Sequence, residues 1–400
     1  MKTLIKNALY QGKQVDVLIS DGLFTKIEKT DAIKPEGLDV VDVTGYVLLP
    51  ALVDCHTHID KTMWGMEWYV NAVGPLRIDR INNERVTRYK IGHDPALQAS
   101  RHIELSLGLG VLHMRSHVDI DTENGLRGVE GVLKARETYK DLLHVELVAF
   151  PQSGLLSRPG TYELMDEALS MGIDVVGGID PASIDRDPAG SIDAIFRLAQ
   201  KHSKPIDIHL HDFNELGGFS IELIVERTVA LGMQGKVAIS HALCLGSSNA
   251  AMVSSLVEML AKANIHIITG GQASIPSVPS VKQLVQAGVN ICGGNDDVRD
   301  MWSPYGTGDM IERVQFIAMR NAFRRDDDLE LALSLCTDRG AALLGLNDYG
   351  IKIGHQANFV LGKARNVVEC IVSCPSDRVV FRKGEIIARN SKILTSRLQD

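Results

Sequence analysis

The sequence predicts an α/β chain: a (β/α)8 TIM barrel carrying a small composite β-sandwich built from both chain ends. Three observations predict it. Short alternating strands fill the opening of the chain and recur at its close. Between them, eight short apolar runs alternate with longer stretches whose apolar residues repeat at helical spacing. Several of those stretches end in Gly just before the next run, as helices feeding strands do.

At the N-terminal end LIKNALY, QVDVLIS, LFTKIEK and LDVVDVT read as strands separated by turns such as Ser20-Asp21-Gly22. At the other end NFVLG, VVECIVS, VVFRKG and EIIARN read the same way. Neither set alone buries a good core. Residues 1–48 and 347–400 are therefore expected to pair into one β domain, with a barrel over 49–346 inserted between them. The eight runs are YVLLPALVDCHTH, GVLHMRSHVD, HVELVAFPQ, DVVGGID, PIDIHLHD, KVAISHA, IHIITGG and VNICGGND. Helical patterns such as PALQASRHIELSLGLG, RGVEGVLKARETYKD and SIDAIFRLAQKHS lie between them. Eight strand-then-helix units point to a closed barrel. A doubly wound open sheet fits the same periodicity, but no GxGxxG or GxxxxGK[ST] follows the first strand.

Composition narrows the function classes. The chain has 400 residues, a net charge of -8, and 45% hydrophobic and 23% charged residues. Without a basic block it is not expected to bind nucleic acid, which requires clustered cations. No apolar run reaches the roughly 18 residues of a membrane span, and the opening MKTLIKNALYQGKQVD turns polar too soon for a signal peptide. The six cysteines, 55, 244, 292, 336, 370 and 374, contain no CxxC, which speaks against a thiolate zinc site and suits a reducing cytoplasm. The expected partner is a small molecule, and self-association into a homo-oligomer is left open.

The chemistry lies in the histidines. His56 and His58 close the first barrel strand; two residues apart on a strand, they share a face. His209 ends the fifth strand, His241 the sixth, and Asp296 with Asp297 the eighth. All fall at strand C-termini, the catalytic face of such barrels. Each piece alone has a bland explanation: a satisfied histidine pair, a structural histidine, an Asp-Asp turn. Their conjunction at one end of four strands points to one divalent ion, Zn2+ or Fe2+, which lowers the pKa of a water and generates hydroxide near neutral pH. His117, at the mouth end of the second strand, His211 beside His209, and Trp302 in DMWSP are candidate pocket residues. Cys55 lies on the opposite strand face from His56 and reads as packing.

These stretches resemble the amidohydrolase superfamily, in the branch containing cytosine deaminase and N-isopropylammelide amidohydrolase. The resemblance is carried by LPALVDCHTHIDKT, MRSHVDID, LVAFPQSG, VVGGIDPAS, IDIHLHDFNELGGFS, AISHALC and CGGNDDVRDMWSPYGTGDM, in that order, and extends over nearly the whole chain. It implies His56, His58, His209 and Asp296 as metal ligands and His241 at the attacked centre. VVGGID holds no lysine to bridge a second metal, which implies a single ion. Gln152 matches a glutamine that recognises a ring amide, and Lys61 and Asp180 match polar pocket residues. One departure concerns the proton shuttle. Where cytosine deaminase has a catalytic Glu three residues after the fifth-strand histidine, this chain has Asp212, one methylene shorter. Proton transfer is then open to Asp212, His241, Asp297, Lys61 or Asp180.

The expected function is therefore a metal-dependent aminohydrolase that removes an exocyclic amine from a small cytosine-, triazine- or pterin-like ring. A cyclic amide or amidine hydrolase that opens the ring uses the same attack. A metal-free scaffold barrel is a third class, and the intact ligand set speaks against it. The HxE…PCxxC signature of nucleic-acid deaminases is absent.

Overall fold

The computed structural model describes residues 2–398. Strands β1 (Lys2–Tyr10), β2 (Lys13–Ser20), β3 (Leu23–Lys29), β4 (Asp39–Asp42) and β5 (Tyr46–Pro50) open the chain. Eight more follow: β6 (Leu52–Thr57), β7 (Val111–Asp119), β8 (His144–Phe150), β9 (Val175–Ile179), β10 (Ile206–His209), β11 (Val237–Ser240), β12 (His266–Thr269) and β13 (Ile291–Gly293). They pair in sequence order, each parallel to the next, in one sheet. The ring closes between β13 and β6, where the Asp296 N–H donates to the His56 carbonyl at 2.7 Å. Gly294 permits that approach, since a Cβ there would lie 2.5 Å from the His56 Cβ. The open sheet is thereby excluded.

The helices α1 (Arg77–Thr87), α2 (Pro95–Leu109), α3 (Arg127–Tyr139), α4 (Thr161–Ser170), α5 (Pro188–His202), α6 (Asn214–Ala230), α7 (Ala250–Lys262), α8 (Val281–Gln286), α9 (Met310–Arg320), α10 (Asp326–Leu335) and α11 (Asp338–Leu343) lie between or after the barrel strands. Among the described residues none is long and apolar enough to cross a membrane. Helices outside and side chains inside cover both faces of the ring, so all nine residues of β7 are buried. The inward row of β7 is nevertheless polar. Its alternate residues His113, Arg115, His117 and Asp119 share one face, on which Arg115 meets Asp207 of β10 across the ring.

The first apolar run divides at Ala51: Tyr46–Pro50 belongs to the terminal sheet and Leu52–Thr57 to the barrel. No turn signal marks the division because the chain passes from one core into the other. Strands β14 (Phe359–Lys363), β15 (Arg378–Arg382), β16 (Glu385–Arg389) and β17 (Lys392–Ile393) complete the terminal sheet. β5 joins the two chain ends by pairing antiparallel with β14. The sandwich is made by one continuous mixed sheet that returns on itself. Phe24 of β3 lies 5.7 Å from Phe359 of β14, in a core with Ile5, Val17, Leu48 and Phe381.

One element differs in kind. VVECIVS, expected as a strand, is helix α12 (Val367–Ser373). Asn366 caps it by accepting the Glu369 N–H at 2.8 Å. Asn followed three residues later by Glu is a helix-start pattern that outweighs the β-branched composition. Cys374, with φ 44°, ends it.

Candidate active site

At the C-terminal ends of the barrel strands the chain converges on a buried set of donors. His56, His58 and His209 bring one ring nitrogen each within 4.8 Å of one another, and His56, His241 and Asp296 do the same. The Asp296 Oδ1 lies 3.3 Å from His56 Nε2 and 3.5 Å from His58 Nε2. Three residues here hold a left-handed backbone that only glycine adopts easily: Asp180 (φ 33°), His241 (φ 68°) and Asp296 (φ 63°). Such turns at strand ends carry strain and cluster at functional sites. Phe150 stacks on the His209 ring at 4.0 Å and holds it from the side.

The donor chemistry fits one divalent cation. Burial drives His58 down to about 3, and His209 and His241 well below the ordinary histidine range, so the rings are neutral and offer lone pairs. His56 Nε2 and His241 Nε2 are buried without hydrogen-bond partners, the state in which a cation satisfies them. Gln272, which nothing in the sequence singled out, donates to Asp296 Oδ2 at 2.6 Å and leaves Oδ1 turned toward the histidines.

Asp297 joins this group: its carboxylate and that of Asp296 lie within 4.8 Å of a His58 nitrogen. Burial, then the Asp296 charge, pushes Asp297 up to about 6. Beside it lies a second buried cluster. Lys61 Nζ donates to Gln152 Oε1 at 2.8 Å and sits 5.3 Å from the Trp302 ring centre. Gln152 Nε2 donates to Glu84 and to Asp119, the latter at 3.2 Å. Trp302 Nε1 donates to Glu84 at 2.6 Å. Burial works against the Lys61 charge, but Asp119, Glu84, Asp297 and Asp300 outweigh it and raise the group, which stays an ammonium. Arg88 compensates Asp119 at 3.0 Å. Burial holds the Asp119 carboxyl up at about 8 all the same.

A third group flanks His241. His211 stacks on it at 4.3 Å, and its Nδ1 meets Asp180 Oδ2 at 2.9 Å. Asp180 also accepts from the His211 backbone N–H at 2.6 Å and from Arg77 at 2.8 Å. Burial alone would raise Asp180, but His211 and Arg77 win and lower it. Asp212 keeps one carboxylate oxygen buried without a hydrogen-bond partner, and burial with the Asp180 charge raises the group. His117 lies beneath the set, fully buried, 4.2 Å from His56 and 4.4 Å from His209 between ring centres.

The sequence missed Arg77, Glu84 and Arg88. All lie in or just after α1, inside the long connection from Thr57 to Pro95, where apolar periodicity is weak. The available signal was the charge spacing in RINNERVTRYK, with Glu84 and Arg88 four apart on a helical turn.

Comparison with known proteins identifies the family. A model of the amidohydrolase family matches residues 111–374. The chain is 42% identical to the N-isopropylammelide isopropylaminohydrolase of Burkholderia multivorans ATCC 17616, with a TM-score of 0.94 over 98% of this chain and 100% of that one. It is 30% identical to the N-isopropylammelide isopropyl amidohydrolase of Pseudomonas sp. (strain ADP) over 98% of each. The 5-methylcytosine deaminase of Klebsiella pneumoniae liganded with 5-fluorocytosine is 28% identical, with a TM-score of 0.84 over 97% of each chain. The chain belongs to the amidohydrolase family, as a hydrolase acting on C–N bonds.

Proposed function

We propose that this enzyme removes an exocyclic amine, as ammonia or an alkylamine, from a small oxo-substituted N-heterocycle, with one Zn2+ or Fe2+ held by His56, His58, His209 and Asp296. The carrying observation is the pairing of that donor set with the Lys61–Gln152 cluster beside it. A divalent ion in the set supplies Lewis acidity and lowers the pKa of a bound water toward neutrality. The similar proteins named for N-isopropylammelide and 5-methylcytosine support the ring class.

The chain's own groups account for the rest. Both Gln152 amide hydrogens are committed to acidic side chains and its oxygen already accepts from Lys61, so one lone pair of that oxygen is what remains for a ligand. That favours a ring presenting an N–H. The Lys61 ammonium keeps donors for a ring oxygen, and Trp302 supplies an apolar face beside it. His211 gives its Nδ1–H to Asp180, which fixes the ring that stacks on His241. His241 stabilises the tetrahedral carbon's oxygen. Asp297 takes one proton of the attacking water to the ring nitrogen and the second, from the new hydroxyl as its carbonyl forms, to the departing amine. Its carboxyl is tuned near neutrality and lies within the donor group, whereas Asp212 belongs to none of the donor groups.

The test loads the protein with Zn2+ or Fe2+ and screens amino-substituted pyrimidines, triazines, purines and pterins. Amine release without ring opening is the expected result. A new carboxylate on the product overturns it in favour of the ring-opening hydrolase, and no amine from any compound by the metal-loaded enzyme rejects the assignment. His209→Ala is expected to lose metal and turnover together.

A further inference from the structure

We infer that Ser240, Asp207 and Arg115 form a positioning relay that fixes the tautomer and ring orientation of His56, and through it the geometry of the donor set; the inference rests on the metal-set reading above. The relay starts behind the ring. His56 Nδ1 lies 2.8 Å from Ser240 Oγ. A serine hydroxyl has one proton, and here it goes to Asp207 Oδ1 at 2.7 Å, because a carboxylate only accepts. The other Asp207 oxygen accepts from Arg115 Nη1 at 2.8 Å. Arg115 Nε donates in turn to Glu146 at 2.6 Å.

The direction of each bond then follows. Arg115 is a permanent cation with five donors and no acceptor, so it faces Asp207 and Glu146 as an ion pair with each. Asp207 has no proton to give back to Ser240. Ser240 therefore offers His56 only a lone pair, and His56 must donate its Nδ1–H. That leaves the lone pair on Nε2, the atom that is buried, without a partner and 3.3 Å from Asp296 Oδ1. The tautomer required of a ligand is thus set from four strands away. His58 and His209 have no such support: their Nδ1 atoms are buried and unpartnered. Among these three histidines His56 is the one whose ring is pinned from behind.

The strand pattern builds the relay. Asp207 precedes His209 by two on β10, so both face the barrel axis. Ser240 is the last residue of β11, directly before His241. Arg115 precedes His117 by two on β7, and the register of β7 with β8 sets it beside Glu146. These groups are buried beneath the site, where barrels usually stack branched aliphatic side chains. A buried ion pair of this kind adds little stability over a packed apolar layer, because desolvation offsets the attraction. What it supplies is orientation. Second partners of ligating histidines commonly account for about 10- to 100-fold in metal affinity.

Ser240→Ala removes one oxygen and leaves the Arg115–Asp207 pair intact. Asp207→Asn is nearly isosteric, but its amide can donate to Ser240, freeing the hydroxyl to donate to His56 and favour the wrong tautomer. For metal-free parent and both variants, Zn2+ dissociation constants are measured by competition with a chromogenic chelator, and the Co2+-loaded absorption spectrum is recorded. Circular dichroism and thermal melting check the fold. Zn2+ binding is expected to weaken by about 10- to 100-fold in both variants, with an altered Co2+ band. Folded variants that hold Zn2+ within about twofold of the parent overturn the relay while leaving the metal-set reading intact. A parent that takes up no metal overturns both. If Asp207→Asn does not fold, Ser240→Ala decides alone.

Discussion

Lys61 illustrates how the roles divide at the scale of single residues. Its ammonium is buried among carboxylates and bonded to Gln152, outside the donor set of histidines. Lys61→Met is therefore expected to keep full metal content and lower kcat/KM by roughly 10- to 100-fold, the worth of a charge-assisted hydrogen bond. Metal analysis beside steady-state kinetics checks this, and normal turnover would make Lys61 a structural cation. The proton carrier separates in the same way. Asp297→Asn is expected to cost roughly 100- to 10,000-fold in kcat with metal retained, and Asp212→Asn less than about tenfold. The reverse ranking would return the role to Asp212. The histidines and Asp296 were legible because two-residue spacing and strand ends are local facts. Glu84, Arg77 and Gln272 were not, since each joins the candidate site only by reaching a partner far away in sequence.

Single elements show where local pattern and environment compete. α1 reads as a charged surface helix, yet it aims Arg77, Glu84 and Arg85 into the barrel mouth and the loops around it. α12 reads as a strand until its Asn366 cap is weighed. α2 carries His102, outside every donor group. It is fully buried, and neither ring nitrogen has a partner. Burial lowers it to about 4. The sign follows: the unfolded chain binds this proton near pH 6.5 and the folded one only near pH 4, so stability is full above 6.5 and falls as pH drops between the two. His102→Leu is expected to remove about 2 kcal/mol of the stability lost between pH 8 and pH 5, an order-of-magnitude figure. Denaturant titrations of both proteins at the two pH values measure it, and equal acid sensitivity would place the effect elsewhere.

Across the whole molecule, the terminal sheet and the barrel are locked by charge as well as by packing. Arg378 of β15 grips Asp309, the N-cap of α9, through two bonds of 2.8 and 2.7 Å, and also donates to the Leu109 carbonyl. Arg378→Met leaves the Asp309 carboxylate uncompensated and is expected to destabilise the fold by about 3–5 kcal/mol. A melting temperature unchanged from the parent would show the lock to be idle. The strand–helix alternation, the composite terminal sheet and the histidine ends of the barrel strands were all readable from the chain, because each rests on periodicity or spacing over a few residues. Even the division of YVLLPALVDCHTH was hidden only by the absence of a turn at Ala51. Tertiary structure alone decided which charges meet. The Lys61–Gln152–Glu84 cluster, the Asp180–His211–Arg77 group and the Arg115–Asp207–Ser240 line join strands and helices far apart in sequence. Hydrogen bonds of under about 3 Å depend on how the ring closes, and spacing along one strand carries no information about the side chain across the barrel.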